Sequence, residues 1–146
     1  GQSSRIYKKL VYEQQLAVAA FGGPNLIEDP NLFYAVAIVQ PGRTPEQVAT
    51  ALIAEIERLK TEPISERDLQ RTKNQFARDY ILNRESDQEK ARVLSHAVVI
   101  HHDITTADGE FDIFQGLTAA DVQRVAKIYF TAANRTVLTL LPETQR

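Results

Sequence analysis

Residues 3–23, SSRIYKKLVYEQQLAVAAFGG, constrain the fold of this 146-residue chain more than any other stretch. Two serines open an amphipathic helix that runs, without proline or glycine, into a short apolar strand and a Gly22-Gly23 break. Ser3 or Ser4 offers a side-chain oxygen to the free N–H groups of the first turn. Ile6, Leu10 and Val11 then recur at helical spacing on one face. Residues 16–21 (LAVAAF) read as a strand closed by Gly22-Gly23-Pro24. A helix that feeds straight into a strand points to helices layered on a sheet.

The rest of the chain agrees. Residues 32–39 (LFYAVAIV) form the strongest strand signal, ended by Pro41-Gly42. Both strands are apolar at consecutive positions, which predicts a sheet with one face under helices and the other facing a sheltered surface. Thr44 is a helix N-cap, Pro45 takes the first helical position, and Gln47 completes a capping box. Val48, Leu52, Ile56 and Leu59 make its stripe, and Pro63 stops it. Ser65 with Asp68 opens a helix carrying Leu69, Phe76 and Tyr80, with a bend expected near Ser86-Asp87. Helical pattern resumes through Ala91, Leu94 and Val98, followed by a short helical turn around Phe111 and Phe114. Leu117-Thr118-x-x-Asp121 predicts a capped closing helix with Val122, Val125, Ala126 and Tyr129 along its stripe. Residues 136–141 (TVLTLL) read as a last strand before Pro142. The expected fold is one α+β domain over 1–146, a two-layer sandwich of a mainly antiparallel sheet with helices on one face. The chain reads as part of a longer parent, and a first strand upstream of Gly1 would complete a four-stranded sheet.

Composition narrows the chemistry. The net charge of -2 gives no pull toward nucleic acid or anionic membrane. Cysteine is absent, so there is neither a thiol nucleophile nor a disulfide framework. No apolar run reaches the roughly 20 residues a membrane helix needs. A catalytic zinc needs converging His and carboxylate ligands. The three histidines, His96, His101 and His102, stand at neither H-E-x-x-H nor H-x-x-E-H spacing. They read as last-turn residues facing the negative end of a helix dipole. The charged stretch 66–92 mixes signs closely and reads as a solvated helix face, with pairs such as Asp68 and Arg71. No nucleophile elbow or phosphate-binding glycine loop is present.

SRIYKKLVYEQQLAV, LFYAVAIVQPGRTPEQV and LTAADVQRVAKIYFTAANRTVLTLLP together resemble the second, non-zinc homologous domain of pitrilysin/insulinase-family zinc peptidases, which include the mitochondrial processing peptidases. The resemblance covers nearly the whole chain. It implies a C-terminal half that closes over a zinc-bearing N-terminal half or partner subunit to form a peptide-binding chamber. Zinc is then expected in the preceding domain of the parent, with no cofactor in this segment. Many active members of the family supply an arginine and a tyrosine, seven residues apart, from this domain. On KKLVYEQQLAV those positions fall on Val11 and Val18, which have no donor for a carbonyl or oxyanion. Tyr7, one α-helical turn before Val11, and Tyr12 beside it are the substitutes within reach.

The expected parent activity is that of a zinc metalloendopeptidase acting on unstructured peptides, with this segment inactive alone. The resemblance also implies a bacterial periplasmic setting, and the open sheet edge implies self-association. The alternative is a non-catalytic α+β assembly or binding module, either an inactive homologue or a scaffold subunit.

Overall fold

The computed structural model describes residues 2–25 and 27–142. They form two compact bodies, one of residues 2–24, Phe33–Thr61 and 125–142, the other of Asn25–Leu32 and Glu62–Arg124.

In the first body Ser4, in extended conformation, accepts a hydrogen bond from the Tyr7 N–H at 3.3 Å and starts α1 (Arg5–Tyr7). The helix then widens into a π-helical segment, Lys8–Glu13, in place of the uniform α-helix expected. The wider turn closes through bonds spanning five and six residues, Gln14 N–H to Lys9 O at 3.0 Å and Leu16 N–H to Leu10 O at 2.8 Å. It also brings side chains five apart together. Tyr7 therefore meets Tyr12 edge-on, ring centroids 5.3 Å apart, whereas α-helical spacing had placed it beneath Val11. Leu10 is fully buried, with Ile6 and Val11 packed around it.

Two strands follow, β1 (Ala17–Pro24) and β2 (Phe33–Val39), paired antiparallel. Ala17 and Ala20 are buried, and Ala37 and Val39 pack on the same core. The other face presents Val18, Phe21, Tyr34, Val36 and Ile38, all exposed. An irregularity in the ladder between Ala17 and Ala19 makes Val18 the extra residue of β1.

Gly22-Gly23 does not end the strand, as the sequence suggested, but lies within it, paired to Ala35 and Tyr34. The reason is close approach: a Cβ on Gly22 would sit 2.5 Å from the Tyr34 carbonyl oxygen, while one on Gly23 would meet nothing within 4 Å. Gly22→Ala is therefore expected to destabilise by about 1–3 kcal/mol. Gly23→Ala should be close to neutral. Thermal melts of the two variants check this, and equal losses would refute it.

Helix α2 (Pro45–Thr61) covers the inner face of the sheet. Its capping box forms as read: Gln47 N–H donates to Thr44 Oγ1 at 3.3 Å and Thr44 N–H to Gln47 Oε1 at 3.1 Å. Val48 joins Leu10, Ala17 and Ala20 in the core, flanked by Ala51 and Leu52. Glu55 is buried on this helix, held by Arg58 at 2.8 Å and by Arg5 at 4.0 Å. Lys60 donates to Phe130 O at 2.9 Å, and the Phe130 and Phe33 rings lie 5.1 Å apart. This body is a two-layer α+β arrangement. Residues 136–141, expected as a strand, form none and pair with no strand among the described residues, and Leu138 and Leu140 are 81% and 85% exposed. A β-rich sequence becomes a strand only where a partner supplies its hydrogen bonds.

The second body is helical: α3 (Glu66–Leu82), α4 (Asp87–His101) and α5 (Thr106–Gly116), with the start of α6 (Ala119–Tyr129). Ser65 and Ser86 cap α3 and α4, the latter at the expected bend. Thr118 and Asp121 cap α6 reciprocally, at 3.1 and 3.2 Å. The Thr118 hydroxyl and N–H together hold the Asp121 carboxyl below the usual range. Phe76 stacks on Phe114 at 3.9 Å, and Tyr80 lies 4.9 Å from Phe111. This packing extends the expected short turn into an 11-residue α5.

Two further readings are corrected. On α4 the inward residues are Val93, Ala97 and Ile100, while Ala91, Leu94 and Val98 are exposed. That helix is apolar around much of its circumference, so spacing alone could not orient it. On α6 Ala126 is buried, but Val125 and Tyr129 are exposed.

Candidate functional site

The end of the π-helical segment and the turn after β2 face each other across an open cleft of about 620 Å³. Val11, Gln15, Ala17 and Val18 line one side, and Gln40, Pro41, Gly42 and Arg43 the other. Local conformation shapes both walls. Gln15 adopts a left-handed backbone, φ 50, which turns the chain out of the helix and into β1. Gly42 has φ 82, a geometry that glycine adopts without strain, and it closes a turn in which Arg43 N–H donates to Gln40 O at 3.0 Å. Gln40 N–H donates to Leu16 O at 2.9 Å. Arg43 Nε donates to Gln15 O at 3.2 Å, which ties the walls together.

The structure thus places Val11 and Val18 in one cleft. Val11 is half-buried against the core, and Val18 is 45% exposed where the cleft meets the apolar outer face of the sheet. Tyr7 and Tyr12 occupy each other and stand outside the cleft lining. Sequence reasoning missed Arg43. Its signal was the PGRT turn directly before a capped helix, a place where the backbone holds a side chain at a strand end.

Two of the cations in 66–92, read as a solvated face, are engaged in packing. Lys73 donates to Gln115 O at 2.6 Å, and Gln115 Nε2 returns a bond to Lys73 O at 3.2 Å. Arg84 lies 3.4 Å over the Tyr80 ring and donates to Ala107 O at 2.6 Å. The carbonyls come from α5, whose position spacing within α3 could not reveal. The expected pair Asp68–Arg71 forms at 2.9 Å.

His101 lies in the last turn of α4, but His96 stands inside the helix, so the last-turn reading does not hold for it. His96 and His101 rings are 5.7 Å apart, and His102, in left-handed conformation, caps the helix and meets Glu28 at 3.1 Å. Among the described residues no three His, Asp or Glu side chains gather to hold a metal.

The family described as the Peptidase M16 inactive domain matches residues 1–76. The zinc protease PqqE of Helicobacter pylori (strain ATCC 700392 / 26695) is 29% identical over 142 residues, 97% of this chain. This chain spans 32% of the length of that relative. A crystal structure of a Helicobacter pylori protease superposes with TM-score 0.85 at 28% identity, over 92% of this chain and 32% of that one. A protein of Bordetella pertussis Tohama I assigned as a zinc protease gives TM-score 0.84 at 28% identity, over 98% of this chain and 78% of that one. The inactive peptidase domain of a similarly assigned Bordetella parapertussis protein gives 0.80 at 29%, over 92% and 72%. With the family match spanning half of the sequence, this chain belongs to the M16 inactive-domain family, that of the non-zinc half of pitrilysin/insulinase-type peptidases.

Proposed function

We propose that this chain closes over a zinc-bearing half and supplies the wall along which an extended, unstructured peptide lies. The observation that carries the reading is the apolar outer face of the sheet, where Val18, Phe21, Val36 and Ile38 stand exposed beside the cleft. An exposed apolar surface of this kind is characteristic of a binding face. Neither strand of the two-stranded sheet has a third partner among the described residues, so a peptide can add to an edge through main-chain hydrogen bonds. Zinc held by the other half would polarise a peptide carbonyl and activate water. This chain's own residues orient the peptide and exclude bulk water from it. The same open edge supports self-association of the isolated chain, unless the partner half covers it.

Val18→Lys and Val36→Lys test the reading. Both side chains face outward, at 45% and 39% exposure, so the fold should tolerate the change to within about 0.5 kcal/mol. Binding of an unstructured peptide to the assembled halves should weaken by roughly tenfold or more, because each lysine must be desolvated against an apolar ligand. Unchanged peptide affinity, or outright unfolding of both variants, would sink the proposal.

A second reading has one observation in its favour. Val11 and Val18 offer no donor, which suits a scaffold half in a non-proteolytic parent. Peptide binding without cleavage by the assembled, zinc-loaded halves would select it.

A further inference from the structure

We propose that Arg43 makes the cleft a carboxylate-anchoring subsite, which takes an extended peptide by an anionic group flanked by apolar side chains. The inference deepens the peptide-binding reading above and rests on it. Among the described residues Arg43 is the only formally charged one lining the cleft. Its Nε is committed to Gln15 O at 3.2 Å, and among the described residues its Nη1 and Nη2 have no protein partner. The tether holds the guanidinium plane at the cleft, so much of the entropy of ordering a long side chain is already spent before a ligand arrives. A planar fork with two free donors matches a carboxylate bidentately.

Both supports of the tether are themselves fixed. Gln15 is in the left-handed conformation that aims its carbonyl, and Gly42 at φ 82 makes the turn that delivers Arg43. Non-glycine residues held in that region cluster where ligands are clamped. The rest of the lining is mixed, with Val11, Val18, Ala17 and Pro41 beside the polar Gln15 and Gln40. The apolar members of the lining contribute contact to the side chains beside the anionic group, while Arg43 itself stays exposed. A cation would be repelled here, and a neutral polar group would leave the fork half satisfied. The cleft therefore does not replace an arginine–tyrosine pair at the scissile bond. It holds the peptide by a carboxylate, from a free C-terminus or from an Asp or Glu side chain.

The test uses fluorescein-labelled valine- and serine-containing peptides in three forms: free C-terminal acid, C-terminal amide, and amide with a glutamate next to the end. Fluorescence anisotropy follows their binding to the 146-residue chain and to the chain assembled with its zinc-bearing half. The acid should bind roughly tenfold tighter than the amide, with the difference shrinking as salt rises. The glutamate form reveals the second source of the same group. Arg43→Ala should abolish the preference while leaving residual affinity for the amide, and Arg43→Lys should restore part of it. A melting curve confirms that each variant is folded, and Arg43→Lys serves as the reporter if Arg43→Ala is not. A preference that survives Arg43→Ala, or acid and amide binding equally to the wild type, would overturn the subsite and leave the peptide-binding wall standing. No binding of any form, even to the assembled halves, would overturn both.

Discussion

Leu10→Ala is expected to cost about 2–5 kcal/mol, the largest loss from any single truncation in the first body. Leu10 is 0% exposed and is the largest fully buried side chain among the described residues. It packs with Ala17, Ala20 and Val48, three small or short side chains that cannot move in to fill the space it leaves. The carbonyl of the same residue closes the π-helical segment by accepting from Leu16. A cavity there therefore loosens the residue that launches β1 and, with it, the Gln15 carbonyl that tethers Arg43. Against a typical total of about 5–15 kcal/mol, such a loss is large enough to populate the unfolded state at moderate temperature. Denaturant titration measures it. A cost below about 1 kcal/mol would mean that the core is not centred on Leu10.

Phe76→Ala should have the corresponding effect in the second body, about 3 kcal/mol since the ring is only partly buried. Phe76 stacks on Phe114 with planes 14° apart and also meets Tyr80 and Phe111 at 6.0 and 6.4 Å. Lys73 of α3 and Arg84, two residues beyond its end, donate to carbonyls of α5 on either side of this stack. A double-mutant cycle with Phe114→Ala should give a coupling of about 0.5–1.5 kcal/mol, as expected for a stacked aromatic pair. Strictly additive losses would show that the stack is incidental and that the hydrogen bonds to α5 carry the contact.

Much of this architecture was legible because its signals act over a few residues. Ser4, Thr44, Ser65 and Thr118 each cap a helix through a donor three positions on, a distance that chain geometry fixes without help from the rest of the fold. The two strands were visible for a similar reason, as apolar runs at 16–21 and 32–39, although the first continues to Pro24. Val11 and Val18, set apart by a family pattern alone, line one cleft, which does not test their role.

What local signals could not carry, packing decided. The π-helical turn re-pairs Tyr7 with Tyr12, because burying Leu10 while handing the chain to β1 overrides the α-helical repeat. Gly22 continues the strand instead of ending it, since the approach of the Tyr34 carbonyl is visible only once β2 is in place. Residues 136–141 have a strand's composition but lack the partner that would make them one. Arg43 meets the Gln15 carbonyl across a sequence separation of 28, a contact that no spacing rule reaches. The sequence by itself set where the side-chain-capped helices begin, the rough place of β1 and β2 and which residue types were available for chemistry, because those depend on neighbours a few bonds away. The tertiary structure alone decided which faces are buried, which carbonyls lie open to distant cations and which turn closes the cleft, because those depend on groups that meet only when the chain has folded.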